Sequence, residues 1–413
     1  MSSPRTQDAT GPGQREFVLL ISSVMMLVAF AIDSMLPALP AIAQSLSVAD
    51  ASDQPLVLTA FLIGFGVSLL FVGTISDRFG RRWLLLASLV LYGLTSLAAA
   101  TAQSFEMLLA ARAAQGVAAA GGQVLVRALV RDLFEGREMA RIMSLAGMIF
   151  MAGPIIAPSM GQAVLAVASW RWIFIVLAGL GFIIWSWSFF RLAETLPLER
   201  RVVISRATIT ANARIVLGDR MSCGYMLASA ATSSALFGFL NSVQPIFQNS
   251  FHRPDFLPTA FAIMAAGMMA ASFLNASIVR RFGMRRIGHS ALMLFTAIAG
   301  FHLLYSWGGH ETMLSFTILQ ALMMFAFPLI GGNFQAMAME RMGAVAGVAS
   351  SIQGFVINII SAISGLAIGR AYNGTTVPLY VGYFVGGLIA LLIIFVTEHG
   401  QFFVARHAPV PGE

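Results

Sequence analysis

Between Phe17 and Phe403 the chain repeatedly runs for about 20 residues with almost no charge, and this recurrence constrains its fold more than any other feature. Hydrocarbon offers no partner for a backbone N–H or C=O. A segment that crosses it must therefore satisfy its own polar groups, as a helix or as part of a closed barrel. The runs are continuous rather than alternating, which selects helices. The expected spans are 17–41, 55–77, 83–103, 106–130, 140–167, 171–191, 222–247, 257–279, 286–307, 312–339, 344–370 and 377–404. Only 10% of residues are charged, against about 25% in soluble domains, too few to cover a water-facing surface. Residues 1–16 are polar, and the run from Phe17 is too long for a leader's apolar region and lacks a small-residue cleavage site, so no cleaved leader is expected.

A net charge of +7 could suggest a nucleic-acid partner, but the placement of the charge argues against one. All 25 basic residues are arginine. With a cytoplasmic N-terminus, about 20 of them fall in cytoplasmic loops and tails, three (Arg171, Arg253, Arg370) fall on the other side, and Arg112 and Arg127 lie inside a span. That asymmetry is a topology signal, with both termini cytoplasmic. The single cysteine, Cys223, excludes an intramolecular disulfide and a cysteine metal site.

The spans divide into two sets of six. Residues 1–191 are expected to form one bundle and 221–413 the other, with an arginine-rich cytoplasmic linker over 192–220 that holds Arg200, Arg201, Arg206, Arg214 and Arg220 and accommodates a short interfacial helix. The two sets echo each other. Asp33-Ser34-Met35-Leu36-Pro37 is matched by Asn241-Ser242-Val243-Gln244-Pro245, Arg78-Phe79-Gly80-Arg81-Arg82 by Arg281-Phe282-Gly283-Met284-Arg285, and Gly121-Gly122-Gln123 by Gly331-Gly332-Asn333. The offsets of 208, 203 and 210 are nearly constant, the mark of a parallel repeat of six-helix halves. A receptor or channel, the remote alternative, needs no such repeat.

After span 2 comes Gly73-Thr74-Ile75-Ser76-Asp77-Arg78-Phe79-Gly80-Arg81-Arg82. Gly80 suits a tight turn, Arg81 and Arg82 suit the cytoplasmic headgroups, and Asp77 sits at a helix end where it can accept from another helix N-terminus. Span 4 carries Arg112-Ala113-Ala114-Gln115-Gly116. Span 5 carries Gly147 and then Gly153-Pro154-Ile155-Ile156-Ala157-Pro158-Ser159-Met160-Gly161, followed by Ser169-Trp170-Arg171-Trp172-Ile173-Phe174. Together with Asp33 to Pro40, these segments resemble the twelve-span drug:proton antiporters of the major facilitator superfamily, and within them the bicyclomycin/chloramphenicol-resistance (Bcr/CflA) subfamily. The resemblance covers most of the first half and thins in the second.

It implies an all-α membrane protein of two pseudo-symmetric six-helix bundles around a central cavity. It also implies a conformational latch at Gly73, Asp77, Arg78, Gly80, Arg81 and Arg82, with Asp77 meeting span 11, and a helix motif that seals an antiporter at Gly147, Gly153, Pro154, Pro158 and Gly161. The family motif often ends Gly-Gly, whereas Gly161 is followed by Gln162, so the closest helix contact is not assured there. For Gly283 and its neighbours, where Arg280 replaces the acid, a topogenic arginine cluster with a helix-terminating glycine is the simpler expectation.

Asp33 is the one carboxylate well inside an expected span; Glu106, Glu311, Glu340 and Glu398 lie at or near span ends. An ionised group at that depth is costly and usually marks a pathway. Helical spacing puts Met26, Phe30, Asp33, Pro37 and Pro40 on one face, an apolar stripe with prolines that flex the span. The alternative is a structural aspartate, paired or capping a broken helix. Some relatives carry a second acid about two turns earlier, where Met25 and Met26 stand here, so one proton site is expected in this half. Arg112 is the second intramembrane charge, with Gln115, Ala119, Gly122 and Gln123 on its face. In the family this arginine assists proton release from the span 1 acid; alternatively it snorkels to the headgroups. Arg127 and Arg131 suit snorkelling.

The 23 methionines suit a plastic cavity, though most serve as filler or face lipid. Polar cavity candidates in the second half are Asn241, Gln244, Asn333, Gln353 and Asn358, with Asn241 first because the repeat sets it opposite Asp33. No His-Glu-x-x-His, Walker loop or intramembrane Ser/His/Asp cluster is present, so neither enzymatic chemistry nor a cofactor is expected. The expectation is a monomeric, multi-pass protein of a bacterial inner membrane. It exchanges protons for amphipathic, mostly apolar small molecules, phenicol-type antibiotics among them, or else exports a small metabolite such as a sugar or amino acid.

Overall fold

The computed structural model describes residues 12–197, 199 and 206–403. Its described residues contain twelve helices long and apolar enough to cross a membrane: Gln14–Ser45, Leu56–Phe79, Arg81–Ala100, Phe105–Leu133, Arg141–Val167, Arg171–Arg191, Arg220–Ser250, Pro254–Phe282, Met284–Trp307, Met313–Met339, Gly343–Arg370 and Val377–Thr397. These are spans 1 to 12. The last stops at Thr397 rather than 404, because the chain turns through positive φ at His399 and Gly400. Arg200 and Arg201 of the expected linker lie outside the described residues; from Arg206 the chain is helical to Gly218. This linker helix buries Val216 against Met342, Val345 and Ala349.

The chain divides into two compact units, one ending at Arg206 and the other starting at Ala207. In the first unit, span 2 packs on span 4, span 3 on spans 4 and 6, and span 1 on spans 4, 5 and 6. In the second, span 8 packs on span 10, span 9 on spans 10 and 12, and span 7 on spans 10, 11 and 12. The second set follows from the first by adding six to each span, so the sequence repeat is also a repeat of packing. Without a hydrophobic drive between helices in lipid, close approach depends on small residues. At Gly64 an added Cβ would lie 1.9 Å from the Ala113 carbonyl oxygen, and at Gly116 2.0 Å from that of Phe61. Spans 2 and 4 thus touch backbone to backbone.

Matching turns join spans 2 to 3 and 8 to 9. Gly80 has φ 99° and ψ 161°, and Gly283 has φ 80° and ψ 153°. Glycine is essentially the only residue that adopts this conformation. The turn lets one helix stop and the next start without a loop.

Candidate functional site

Span 1 is not one continuous helix. Its first segment ends on Asp33, a 3-10 turn covers Leu36–Ala38, and a second helix covers Leu39–Ser45. Pro37 and Pro40 cause the break, since neither supplies a backbone N–H and each restricts the residue before it. The single stripe expected from helical spacing is therefore cut at Asp33. Met26, Phe30, Pro37 and Pro40 are all half-buried, as are Ser23, Ile32 and Ala41, and Asp33 itself is 6% exposed. Asp33 has no hydrogen bond or ion pair among the described residues, and it stands at the negative pole of its helix. An ionised carboxylate there has no ion-pair partner among the described residues.

The break frees backbone groups, and Arg112 takes one of them. The N–H of Met35 bonds Ile32 O at 3.4 Å, and Arg112 Nη2 donates to Ala31 O at 2.9 Å. Its Nε donates to Val57 O at 3.2 Å and its Nη1 to Gln115 Oε1 at 2.5 Å, while Gln115 Nε2 donates to Ser96 Oγ at 2.7 Å. The guanidinium carbon also lies 4.7 Å from the Phe61 ring centre and 5.8 Å from that of Phe174. Arg112 is fully buried, which excludes snorkelling. Carbonyl dipoles and aromatic faces carry its charge without a carboxylate partner. It ties spans 1, 2 and 4 together two residues from Asp33, but forms no ion pair with it. Arg127 and Arg131 are exposed.

Span 5 packs directly on the broken segment. Its helix Gly136–Phe150 stops, and a second helix, Gly153–Val167, follows. A Cβ added at Gly153 would meet Ala29 Cβ at 2.7 Å; at Gly161 it would meet Ser34 O at 2.3 Å and Pro37 Cγ at 3.0 Å. The tight contact is therefore present at Gly161 despite Gln162 after it. Pro158 is buried inside the second helix and deprives the Pro154 carbonyl of its helical donor. Gly147, by contrast, faces open space.

The remaining candidates fall into two groups. Gln115 belongs to the interior Arg112 network rather than to an open lining, and Ala119 is buried beside it on span 4. Asn333 donates to Asn275 Oδ1 and Leu329 O, Gln353 donates to Ser222 Oγ and Ala338 O, and Asn358 donates to Gly354 O. Gln244 donates to Gln248. Two candidates keep unused polar atoms: Gln123 Oε1 is buried without a partner, and Asn241, 1% exposed, has neither Oδ1 nor Nδ2 bonded.

After span 2, Arg81 is buried rather than lying among headgroups. Its Nη1 is 2.5 Å from Asp77 Oδ1 and its Nε 3.1 Å from Asp132 Oδ2. The Glu194 carboxylate accepts the N–H groups of Arg81 and Arg82 at 2.8 and 3.2 Å, placing negative charge on the helix N-terminus. Arg82 is half-buried, with Nη2 on Phe189 O and its guanidinium over Trp83; Gly73 and Arg78 lie on the same helix end.

The second unit repeats this clamp, contrary to the expectation of a merely topogenic cluster at Gly283. Arg285 is buried and bonds Glu340 Oε2 at 3.0 Å and Glu398 Oε1 at 2.9 Å. Tyr225 Oη donates to Glu398 at 2.6 Å and lies 2.9 Å from His289 Nε2, and the N–H of Phe403 reaches His289 Nδ1. Sequence reasoning missed this network, together with a buried pair of His302 and Glu311. The repeat carried a signal for the clamp: Glu340 follows Asp132 by 208 residues and Glu398 follows Glu194 by 204. Among the described residues no group of three His, Cys, Asp or Glu could hold a metal ion.

A family model described as Major Facilitator Superfamily matches residues 21–365. The uncharacterized MFS-type transporter YdgK of Bacillus subtilis (strain 168) is 33% identical over 94% of this chain and 96% of its own. A bicyclomycin resistance protein homolog of Haemophilus influenzae is 28% identical over 88% and 91%, and the multidrug resistance protein MdtL of Salmonella heidelberg is 25% identical over 96% and 98%. Among solved structures, the human organic anion transporter MFSD10 (TETRAN) aligns with a TM-score of 0.69 at 18% identity, covering 94% of this chain and 100% of that one; this likeness concerns the fold alone.

Proposed function

The chain belongs to the Major Facilitator Superfamily, and from that premise we propose that it is a proton-driven exporter of amphipathic, mostly apolar compounds, phenicol-type antibiotics among them. Members of the family are transporters, not enzymes, and are driven by ion gradients. The names of the bicyclomycin-resistance and multidrug-resistance relatives support drug efflux. Proton coupling rests on one observation above the rest: Asp33, a buried carboxyl without a partner, at a break in span 1 that span 5 grips through Gly161.

In this account Asp33 binds the proton. Arg112 orders the backbone that presents it and supplies the nearby positive charge that favours release. Met26, Phe30, Pro37, Gln123 and Asn241 meet the substrate, and the turn from Gly73 to Arg82 latches one of two alternating states. The protein is a monomer of the bacterial inner membrane with both termini cytoplasmic, organised as bundles 1–191 and 221–413. One returning proton supplies about 1.4 kcal/mol per pH unit and about 2.3 kcal/mol per 100 mV. The test is a drug-susceptibility and accumulation panel in a pump-deficient host. Expression should lower the accumulation of apolar, amphipathic drugs, and a protonophore should abolish the effect. Efflux that persists in the protonophore contradicts proton coupling.

A further inference from the structure

The second unit contains a buried acid–base pair that the transport account does not use. His302, near the end of span 9, bonds through Nε2 to Glu311 Oε1 in the turn that follows. The imidazole is fully buried and the Glu311 side chain is 8% exposed. Thr376, which caps the start of span 12, donates to Glu311 Oε2, and Ser306 Oγ lies 2.6 Å from Thr376 Oγ1. The His302 ring stacks on Tyr380, with centres 3.5 Å apart, and Phe316 of span 10 covers another side. His302 Nδ1 and Tyr380 Oη are buried there without any partner.

With Glu311 ionised, these contacts fix the tautomer of His302. Because Nε2 faces a carboxylate, it carries the ring hydrogen, and in the neutral imidazole Nδ1 is then a bare lone pair. Glu311 is left as a carboxylate met by two neutral donors, so the cluster holds one negative charge where charge is costly. Adding a proton to Nδ1 makes an imidazolium–carboxylate pair of zero net charge. No bond breaks and no other group changes its oxidation or charge. The other ionisable groups around the pair are Tyr305 and His310, whose rings lie 5.9 Å apart, and Tyr380 and Tyr383 of span 12. Span 10 contributes the neutral Phe316 and Gln320, the latter bonded to Tyr383 Oη; Phe247 and Phe251 of span 7 pack against Phe316.

We propose that His302 and Glu311 form a proton-binding site of the second unit, separate from Asp33, that holds one exchangeable proton. Loading the site tightens the pair and so fastens the 308–312 turn to span 9 and, through Thr376, to span 12. Unloading leaves a carboxylate held only by hydroxyl and imidazole dipoles. The turn lies at the end of span 9 remote from Gly283, so the site lies at the opposite end of the second unit from its own glycine turn. The identity of the exported compound has no bearing on it.

The test uses the full-length protein in lipid nanodiscs with 15N-labelled histidine. There are six histidines, and His302→Gln identifies the signal of interest. The ring nitrogens of His302 should change their chemical shifts reversibly as pH is varied over the range in which the protein stays folded. Glu311→Gln should move the midpoint to lower pH, because the imidazolium loses its counter-charge, and Asp33→Asn should leave it in place. Thr376→Val removes a donor to the carboxylate, together with the Ser306 contact, and moves the midpoint to higher pH, and it substitutes for Glu311→Gln if that variant does not fold. A His302 signal that stays constant over the range overturns the proposal. So does a midpoint indifferent to both Glu311→Gln and Thr376→Val, or one that follows Asp33→Asn.

Discussion

Two glycines of the span 5 motif should answer very differently to the same methyl group. At Gly161 the new Cβ would sit 2.3 Å from Ser34 O and 3.0 Å from Pro37 Cγ. Ordinary contacts begin near 3.4 Å, so either span 5 or the broken segment of span 1 must give by about 1 Å, and the obstacle is backbone that cannot rotate away. Overpacking of this kind costs about 1–3 kcal/mol, a factor of about 5 to 150 in the folded population. The displaced atoms adjoin Asp33, so efflux should fall more than stability alone explains. At Gly147 nothing lies within 4 Å, and the exchange should be neutral or stabilise the helix by about 0.5–1 kcal/mol. Purified Gly161→Ala and Gly147→Ala should be compared with wild type by thermal unfolding and by transport per molecule in liposomes. Equal behaviour of the two variants would refute the claim that span 5 grips span 1 at Gly161.

Arg285→Gln leaves Glu398 and Glu340 without their cation and should cost about 3–5 kcal/mol, seen as lost folded yield; Arg285→Lys should rescue poorly, since one ammonium cannot fork between two carboxylates. Arg112→Gln should lose about 1.5–3 kcal/mol for each charged hydrogen bond removed, and binding of a neutral substrate should survive better than turnover; equal loss of both would make Arg112 purely structural. Asn241→Leu removes an unpaired buried amide and should raise thermal stability by about 1–3 kcal/mol while lowering transport; lower stability would mean that the amide has a partner.

Spans and their number were legible because hydrocarbon imposes a simple code of length and polarity. The glycine turns were legible because the conformation at Gly80 excludes other residues. Partners were not. The sequence set Arg112 beside Asp33 in proton release, with snorkelling as the alternative, yet its acceptors are carbonyls of two other helices, at Ala31 and Val57, and backbone acceptors leave no mark in a sequence. Arg81 and Arg285 looked like surface charges for the same reason: Asp132, Glu340 and Glu398 lie 51, 55 and 113 residues away from them. Asp33 stood out at once by its depth. Pro37 and Pro40 signalled a flexed span but not where the helix breaks, because helical spacing still groups Met26, Phe30 and Pro37 across a segment that is no longer helical.

The account stands or falls on Asp33 as the exchangeable proton site. Purified wild-type protein in a weakly buffered solution should release protons when an exported drug is added, and the release should vanish in Asp33→Asn while drug binding persists. Undiminished release from Asp33→Asn, with binding intact, would contradict it.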